Sequence, residues 1–281
     1  MLWDELPTGR RPGGAPMNVA YHLNRLGCPA LPVSAVGNDA DGRALLDFLR
    51  EKGLSTRGVA RSSERPTGVV NARIDDRGNA HYTIRQDVAW DEIPLDGEVL
   101  ALAAASPSLV FGSLAQRSAA NRESLARLRA AMPPGALQIF DVNLRAPYDD
   151  LALVRSLARG AGVIKCNHEE AALWTGGADM DLEKNARRIS LESGVDRICL
   201  TAGSHGAGLL LGEMWSQEAG RPVTVVDTVG AGDSFLAALV EGLRAHRPAG
   251  EILARACRLG EYVAGQPGAT PDYDPGTVFR A

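Results

Sequence analysis

The sequence predicts an α/β fold in which helices cover both faces of a mostly parallel sheet. From about residue 100 onward, apolar or β-branched strands alternate with helical segments, and this alternation is typical of parallel sheets with helical crossovers. A predicted β-hairpin at residues 68–86 interrupts the alternation and is too short to have its own core. We therefore predict one domain over residues 1–281, with a small β-sheet lid formed by segments near 5–12 and 67–92.

The individual elements follow from the hydrophobic pattern and from turn residues. Strands are predicted at 108–112, 137–142, 162–166 and 196–201. Helices are predicted at 41–52, 118–132, 148–159 and 182–193. The hairpin consists of strands at 69–74 and 81–84 around a glycine-containing turn at 75–78.

Composition excludes several classes of function. A net charge of −4 provides no broad basic surface for nucleic acid or an anionic membrane, so neither is an expected partner. No apolar segment reaches the roughly 18 residues of a spanning helix, and no signal peptide is apparent. The four cysteines lack metal-ligand spacing and indicate free thiols in a reducing compartment, so a cytoplasmic location is predicted.

The strongest functional signal lies between residues 227 and 235, D-T-V-G-A-G-D-S-F. A β-branched run at 223–226 predicts a preceding strand, and helical spacing of apolar residues predicts a helix after it. Three small residues leave their N–H groups accessible at the start of that helix, where anions bind: Gly230, Ala231 and Gly232. Asp233 adjoins this anion hole. An acid there suits transfer of a charged group to a hydroxyl that it holds, while a helix N-cap is the structural alternative.

This string closely resembles the second signature of the ribokinase-like (PfkB) sugar kinases, D-T-x-G-A-G-D-x-F. Further stretches resemble family motifs and follow in family order: 13–18 (G-G-x-x-x-N), 37–42 (G-x-D-x-x-G), 141–145 (D-x-N-x-R), 167–170 (N-x-x-E) and 201–206 (T-x-G-x-x-G). The resemblance covers nearly the whole chain. It implies a ribokinase-like αβα sandwich and an ATP-dependent carbohydrate kinase, in which Asp233 is the catalytic base and the Gly230–Gly232 amides form the anion hole.

The resemblance also assigns the ligand-binding residues. Sugar binding falls to Asp4, Gly13, Gly14 and Asn18. Nucleotide binding falls to Thr201, Gly203, Gly206 and Asn167. Glu170 organises Mg²⁺ through water, which suits an ion that dehydrates reluctantly. The segment 266–270 resembles a family loop that often supports a monovalent cation such as K⁺, and family lids often pair two subunits into a homodimer.

Local structural explanations exist for several of these motifs. The glycines at 13–14 also suit a turn before a helix, Glu170 is also a favourable charge in a first helical turn, and 201–206 also suits a hairpin turn. Family members usually begin with a complete apolar strand before the segment matching residues 2–4. We therefore expect the first core strand to be shortened here, through truncation or a start assigned too late.

The substrate is the least determined feature. The strings at 2–4, 13–18, 111–115 and 141–145 look most like bacterial fructokinases, which favours fructose, while ribose, 2-keto-3-deoxygluconate and nucleosides stay open. A non-catalytic sugar-binding regulatory relative is a second hypothesis. A dinucleotide-binding oxidoreductase lacks the required G-x-G-x-x-G after a first strand, and a P-loop kinase lacks G-x-x-x-x-G-K-[ST].

Overall fold

The computed structural model describes residues 1–6, 9–74, 80–177 and 181–280, and its N-terminal third contains two small sheets. The strands of this region are β1 (Leu2–Leu6), β2 (Gly9–Gly13), β3 (Ser34–Gly37), β4 (Val59–Ser62), β5 (Gly68–Ile74) and β6 (Ala80–Ile84). One sheet has the order β2-β1-β5-β6, and β3 pairs with β4 in parallel. The segments predicted as lid strands thus share one sheet, while the predicted turn at 75–78 lies outside the described residues.

A six-stranded sheet forms the centre of the molecule. Its strands are β7 (Ser108–Gly112), β8 (Leu137–Asp141), β9 (Val163–Asn167), β10 (Arg197–Thr201), β11 (Ala207–Leu211) and β12 (Met214–Glu218). Their order is β12-β11-β10-β9-β8-β7. Strands β7 to β10 are parallel, and β11 and β12 add an antiparallel edge. The four predicted parallel strands are therefore present, each within one residue of its predicted bounds.

Ten α-helices are assigned in the described ranges. They are α1 (Ala15–Arg25), α2 (Ala40–Glu51), α3 (Gly97–Ala105), α4 (Ala119–Ala131), α5 (Leu151–Ala158), α6 (His168–Thr175), α7 (Leu182–Ser193), α8 (Ala231–Arg244), α9 (Ala249–Ala264) and α10 (Pro275–Arg280). Every helix in the described ranges is too short or too polar to cross a bilayer.

Side-chain alternation along the strands explains why helices cover both faces of the sheet. Ile139 and Val163 belong to a core cluster that also contains residues of α1, α8 and α9. Their neighbours Phe140 and Ile164 belong to a second cluster with residues of α5, α6 and α7. Because successive residues of a strand point to opposite faces, each strand fills both cores. The predicted αβα layering is confirmed.

The predicted strand at 223–226 was wrong. Val225 and Val226 are each 59% exposed, and this segment contains no strand. The amide of Val226 donates instead to the carbonyl oxygen of Ala264 at the end of α9 (2.9 Å). The β-branched run therefore crosses to the end of α9, where a helix carbonyl oxygen accepts from the amides of Val226 and Asp227, and it pairs with no strand.

The start of the chain belongs to the four-stranded sheet β2-β1-β5-β6, which we call the small sheet. β1 pairs with β2 and β5, and the N-terminal amine of Met1 donates to Ser34 Oγ on β3 (2.8 Å). Among the described residues before Ser108, none joins the six-stranded sheet. The residues at 2–4 that precede the glycine motif therefore belong to β1 of the small sheet.

Candidate active site

The polar residues predicted for the site collect at one edge of the central sheet. Asp141, Asn167 and Thr201 are the last residues of three parallel strands, β8, β9 and β10. The carboxyl ends of parallel strands share an edge, and ligands of open α/β sheets bind there. Helix α8 starts close to this edge, since Gly232 in its first turn lies beside Lys165 of β9. Residues from distant motifs thereby come together.

Asp233 and Asn18 form the best-defined contact of the site. Asn18 Nδ2 donates to Asp233 Oδ2 over 2.7 Å, joining α1 to the first turn of α8 across 215 residues of sequence. Asn18 is 3% exposed, and its Oδ1 atom has no hydrogen-bond partner among the described residues. Buried polar oxygens normally accept a hydrogen bond. This oxygen therefore marks a position where a bound hydroxyl group would donate.

The surroundings of Asp233 bring its carboxyl group close to neutral titration. Burial among protein atoms raises its pKa to about 6, and the hydrogen bond from Asn18 opposes this rise. The negative charge of Asp141 raises the pKa further, whereas the positive charges of Lys165 and Arg145 lower it. A carboxylate with a pKa just below the working pH is ionised and still basic enough to accept a proton.

The loop before α8 has the geometry of an anion site. Gly230 has φ +81°, and a Cβ there would lie 2.6 Å from the Cα of Ala269, so only glycine fits. The amide of Ala231 donates to the carbonyl oxygen of Thr228 (3.3 Å). The amides of Gly232 and Asp233 have no acceptor among the described residues, as expected for the first turn of a helix. Two free amides and the helix dipole thus face the same space.

The small sheet contributes a second carboxylate. Asp4 lies on β1 and contacts the position where a Cβ of Gly13 would be, so glycine at 13 leaves room for the carboxyl group. Gly14 has φ +119° and packs against Met1. Burial raises the pKa of Asp4 to about 6, and Arg145 opposes the rise. Because Arg145 acts on both Asp4 and Asp233, the two carboxylates share one electrostatic environment.

Glu170 and Asn167 form a reciprocal capping box at the start of α6. Asn167 Oδ1 accepts from the Glu170 amide (2.8 Å), and Glu170 Oε2 accepts from the Asn167 amide (2.9 Å). Glu170 Oε1 also accepts from the amide of Leu144 (2.7 Å), next to the 141–145 motif. The local structural explanation for this motif is therefore correct. It does not exclude a second role, since each carboxylate oxygen keeps further acceptor capacity.

Comparison with known proteins decides the family. The model of the pfkB family carbohydrate kinases matches residues 7–275, which is nearly the whole chain. This chain is a PfkB-family carbohydrate kinase.

Individual relatives agree with this assignment. The kinase is 32% identical over 255 residues to a fructokinase of Klebsiella pneumoniae, which covers 86% of this chain and 82% of the relative. A ribokinase structure of Arabidopsis thaliana with ribose and ATP has a TM-score of 0.83 at 21% identity, covering 99% of this chain and 95% of the other. A fructokinase structure of Vibrio cholerae O395 with fructose, ADP and calcium ion has a TM-score of 0.79 at 23% identity, covering 96% and 92%. The fold is therefore ribokinase-like.

The residues predicted for nucleotide binding have different surroundings in the structure. Thr201 is the last residue of β10 and lies at the carboxyl edge of the central sheet. A Cβ added to Gly203 would have no atom within 4 Å, so this glycine has open space beside it. Gly206 has φ +94° and packs against the carbonyl oxygen of Glu218, so the hairpin itself requires this glycine. The second strand of this hairpin is β11, which pairs with β10 in antiparallel orientation. Gly206 therefore has a structural explanation that is independent of any ligand.

Two charged contacts of the kinase were missed at the level of sequence. Arg11 of β2 donates to Asp227 Oδ2 (2.7 Å), which also accepts from the Gly268 amide (3.1 Å). The small sheet is thereby tied to the loop that begins the anion site. Lys165 of β9 pairs with Asp141 of β8 (2.9 Å). A lysine inside the apolar strand 163–166 was a usable signal, because lysine is almost never buried without a partner.

The role of Glu170 can be tested by replacing it with glutamine. Two backbone N–H groups now donate to the two oxygens of Glu170. Glutamine keeps one of these acceptors, places an NH₂ donor against the other N–H group and loses the charge. We expect a higher Mg²⁺ concentration at half-maximal activity, with the sugar KM nearly unchanged, measured by ADP release across a Mg²⁺ titration. Glu169→Gln is the matched control on the same helical turn. A lower Tm with an unchanged Mg²⁺ curve would leave Glu170 only its capping role.

Proposed function

We propose that the kinase transfers the γ-phosphoryl group of ATP to a hydroxyl of fructose. The observation that carries this proposal is the partly buried Asn18–Asp233 pair. Its free Asn18 Oδ1 and its Asp233 carboxylate offer two adjacent acceptors beside the unpaired amides of the α8 first turn. The two acceptors suit a substrate that carries hydroxyl groups, and the unpaired amides suit a phosphate group. The 32% identity to a fructokinase supports fructose among the sugars.

In this mechanism Asp233 orients the attacking hydroxyl and takes its proton as the bond to phosphorus forms. Phosphoryl transfer passes through a loose transition state with charge on the transferred oxygens. The amides of Gly232 and Asp233 donate to these oxygens. The amide of Ala231 donates as well, since its hydrogen bond to the carbonyl oxygen of Thr228 is long at 3.3 Å. Such preorganised donors stabilise the transition state more than the ground state. Gly230 provides the backbone conformation that presents them.

Asp4, Gly13, Gly14 and Asn18 bind the sugar in this proposal. Asp4 accepts hydrogen bonds from sugar hydroxyls, and the two glycines let the sugar approach the β1–β2 backbone closely. The small sheet would cover the bound sugar and exclude water, because water that enters a phosphoryl-transfer site can replace the sugar as acceptor and hydrolyse ATP. The Arg11–Asp227 ion pair would connect the small sheet, as it covers the sugar, to the loop before α8 that forms the anion site.

Thr201, Gly203, Gly206 and Asn167 bind the nucleotide in this proposal, at the carboxyl ends of β9 and β10. Glu170 would hold Mg²⁺ through water, and the ion would neutralise charge on the phosphates. In the described ranges no group of three or more His, Cys, Asp or Glu side chains could cage a metal. An ion held mainly by phosphates and water therefore fits these residues. A K⁺ requirement, a homodimer through the small sheet and a cytoplasmic location stay predictions.

A panel of sugars in a coupled ADP-release assay tests this proposal. We expect kcat/KM to be highest for fructose, because a buried polar site rejects substrates that leave its groups unpaired. Ribose, 2-keto-3-deoxygluconate and a nucleoside are the comparison substrates. If one of them exceeds fructose by tenfold, the substrate is wrong and the family stands. If no sugar stimulates ADP release, the non-catalytic sugar-binding hypothesis is favoured instead.

A further inference from the structure

A buried ion pair lies beneath the proposed anion site. Lys165 Nζ is 2.9 Å from Asp141 Oδ1, and the side chains are only 8% and 5% exposed. The two residues face each other across the parallel β8–β9 ladder, where Asp141 is the last residue of β8 and Lys165 the middle residue of β9. Burial alone would favour the neutral amine, but the Asp141 carboxylate outweighs it and raises the pKa of Lys165. The lysine is therefore charged throughout the range in which the enzyme works.

Stability alone does not explain why this pair is present. A buried ion pair loses hydration on both sides, and well-packed apolar residues of similar volume commonly stabilise a fold as well or better. The surrounding strand residues Ile139, Phe140, Val163 and Ile164 are fully buried and apolar. The sheet therefore needs no charge here for packing, and a role in the neighbouring site accounts for the pair better.

The position of Lys165 relates the pair to α8. A Cβ placed on Gly232 would lie 3.7 Å from Lys165 Nζ. The ammonium group therefore adjoins the turn whose two free amides face the proposed phosphoryl position. Asp233 lies one residue further along the same turn, and the charge of Lys165 lowers the pKa of its carboxyl group. A fixed positive charge at this place acts on both the base and the anion site.

We propose that Lys165 is a positioning residue that supplies fixed positive charge to the first turn of α8, and that Asp141 holds the ammonium group in place. This inference rests on the proposed function, since it assigns Asp233 as the base. Lys165 keeps Asp233 ionised before the sugar hydroxyl binds. It also adds to the positive potential that the Gly232 and Asp233 amides offer to the transferred group. Lys165 itself makes no bond to either substrate.

The charged groups around Asp233 set the sign of the expected effects. Lys165 and Arg145 lower its pKa, and Asp141 raises it. Asn18 adds a neutral hydrogen bond from α1 that lowers it as well. Glu170 lies close enough to Lys165 to raise the pKa of the lysine. Removing the charge of Lys165 must therefore raise the pKa of Asp233.

The acidic limb of the plot of kcat/KM against pH measures the pKa of Asp233, because Asp233 accepts a proton from the substrate only when it is ionised. In Lys165→Met we expect the limb to move to higher pH by roughly one unit. Lys165→Arg keeps a positive charge beside Asp141, so its limb should stay near the wild-type position. A shift in Lys165→Met without a shift in Lys165→Arg supports the proposal. An unchanged limb in Lys165→Met, or an equal shift in Lys165→Arg, overturns it.

A double variant keeps the test valid if a single variant fails to fold. Lys165→Met with Asp141→Leu leaves no unpaired buried charge, so it should fold and bind ATP. We expect its kcat to fall by about tenfold or more even at pH 8, where Asp233 is ionised, because the anion site has lost a charge. A kcat equal to that of the wild type would overturn the proposal.

The matched control is Arg247→Met at the opposite end of α8. Arg247 forms an ion pair with Glu241 (3.0 Å), and Glu241 lies about two turns of helix from Asp233. Its loss should change Tm and leave the pH limb in place. Wild-type ADP release with fructose separates the two proposals. If it is absent, the proposed function fails, whereas an unmoved limb in active variants overturns only the role of Lys165.

Discussion

Asp233→Asn is expected to lower kcat by about 10²–10⁴-fold, the range of a lost general base. Asparagine keeps the size of the side chain and can still accept the hydrogen bond that Asn18 Nδ2 now donates to Asp233 Oδ2. The first turn of α8 and its free amides should therefore be retained. What is lost is the ability to take the hydroxyl proton. Steady-state kinetics with fructose and ATP gives kcat, and calorimetry gives ATP affinity, which should stay close to that of the wild type.

Asp47→Asn provides the control for this variant, since Asp47 is an exposed carboxylate of α2 with a surface ion pair to Arg50. Exposed pairs of this kind contribute little, and its kcat should equal that of the wild type. An Asp233→Asn enzyme that keeps more than half of its kcat would remove Asp233 from the mechanism. A variant that loses ATP binding together with kcat would instead indicate a structural role.

Gly230→Ala is expected to lower kcat by about 10²-fold, the effect of losing one anion-hole donor. The new methyl group would lie 2.6 Å from the Cα and Cβ atoms of Ala269. The loop must then move away from the 266–270 segment, and the amides of Gly232 and Asp233 move with it. Fructose KM should change less than kcat, because Asn18 and Asp4, which we propose to bind the sugar, lie on α1 and β1. The measurement is kcat and both KM values.

Gly176→Ala separates this steric effect from backbone strain. Gly176 also has a positive φ, +66°, but nothing lies within 4 Å of its Cβ position. Each substitution places alanine in a left-handed conformation at a cost of about 1–2 kcal/mol, so both variants should show a lower Tm. Only Gly230→Ala should lose activity. A Gly230→Ala enzyme with kcat within threefold of the wild type would show that the anion site tolerates displacement.

Prediction of the fold succeeded where local signals and pairing agreed. The parallel strands β7 to β10 were recognised from apolar runs that are bounded by turns, and their alternation with helices was enough to indicate the layers. The segment at 223–226 has the same β-branched composition and is not a strand. Composition describes what a segment favours, but a strand also needs a neighbouring strand to pair with, and the amides of Val226 and Asp227 donate to the end of α9 instead.

The sequence by itself determined the family and the order of its motifs, because the spacing of glycines and polar residues around strand ends is a local property of the chain. It also placed Asp233 at the start of a helix. Only the tertiary structure decided which residues meet. The Asn18–Asp233 hydrogen bond, the Lys165–Asp141 pair beneath Gly232 and the Arg11–Asp227 link join residues 24 to 216 positions apart. Strand order and helix packing bring such partners within hydrogen-bond distance, and no pattern along the chain specifies them.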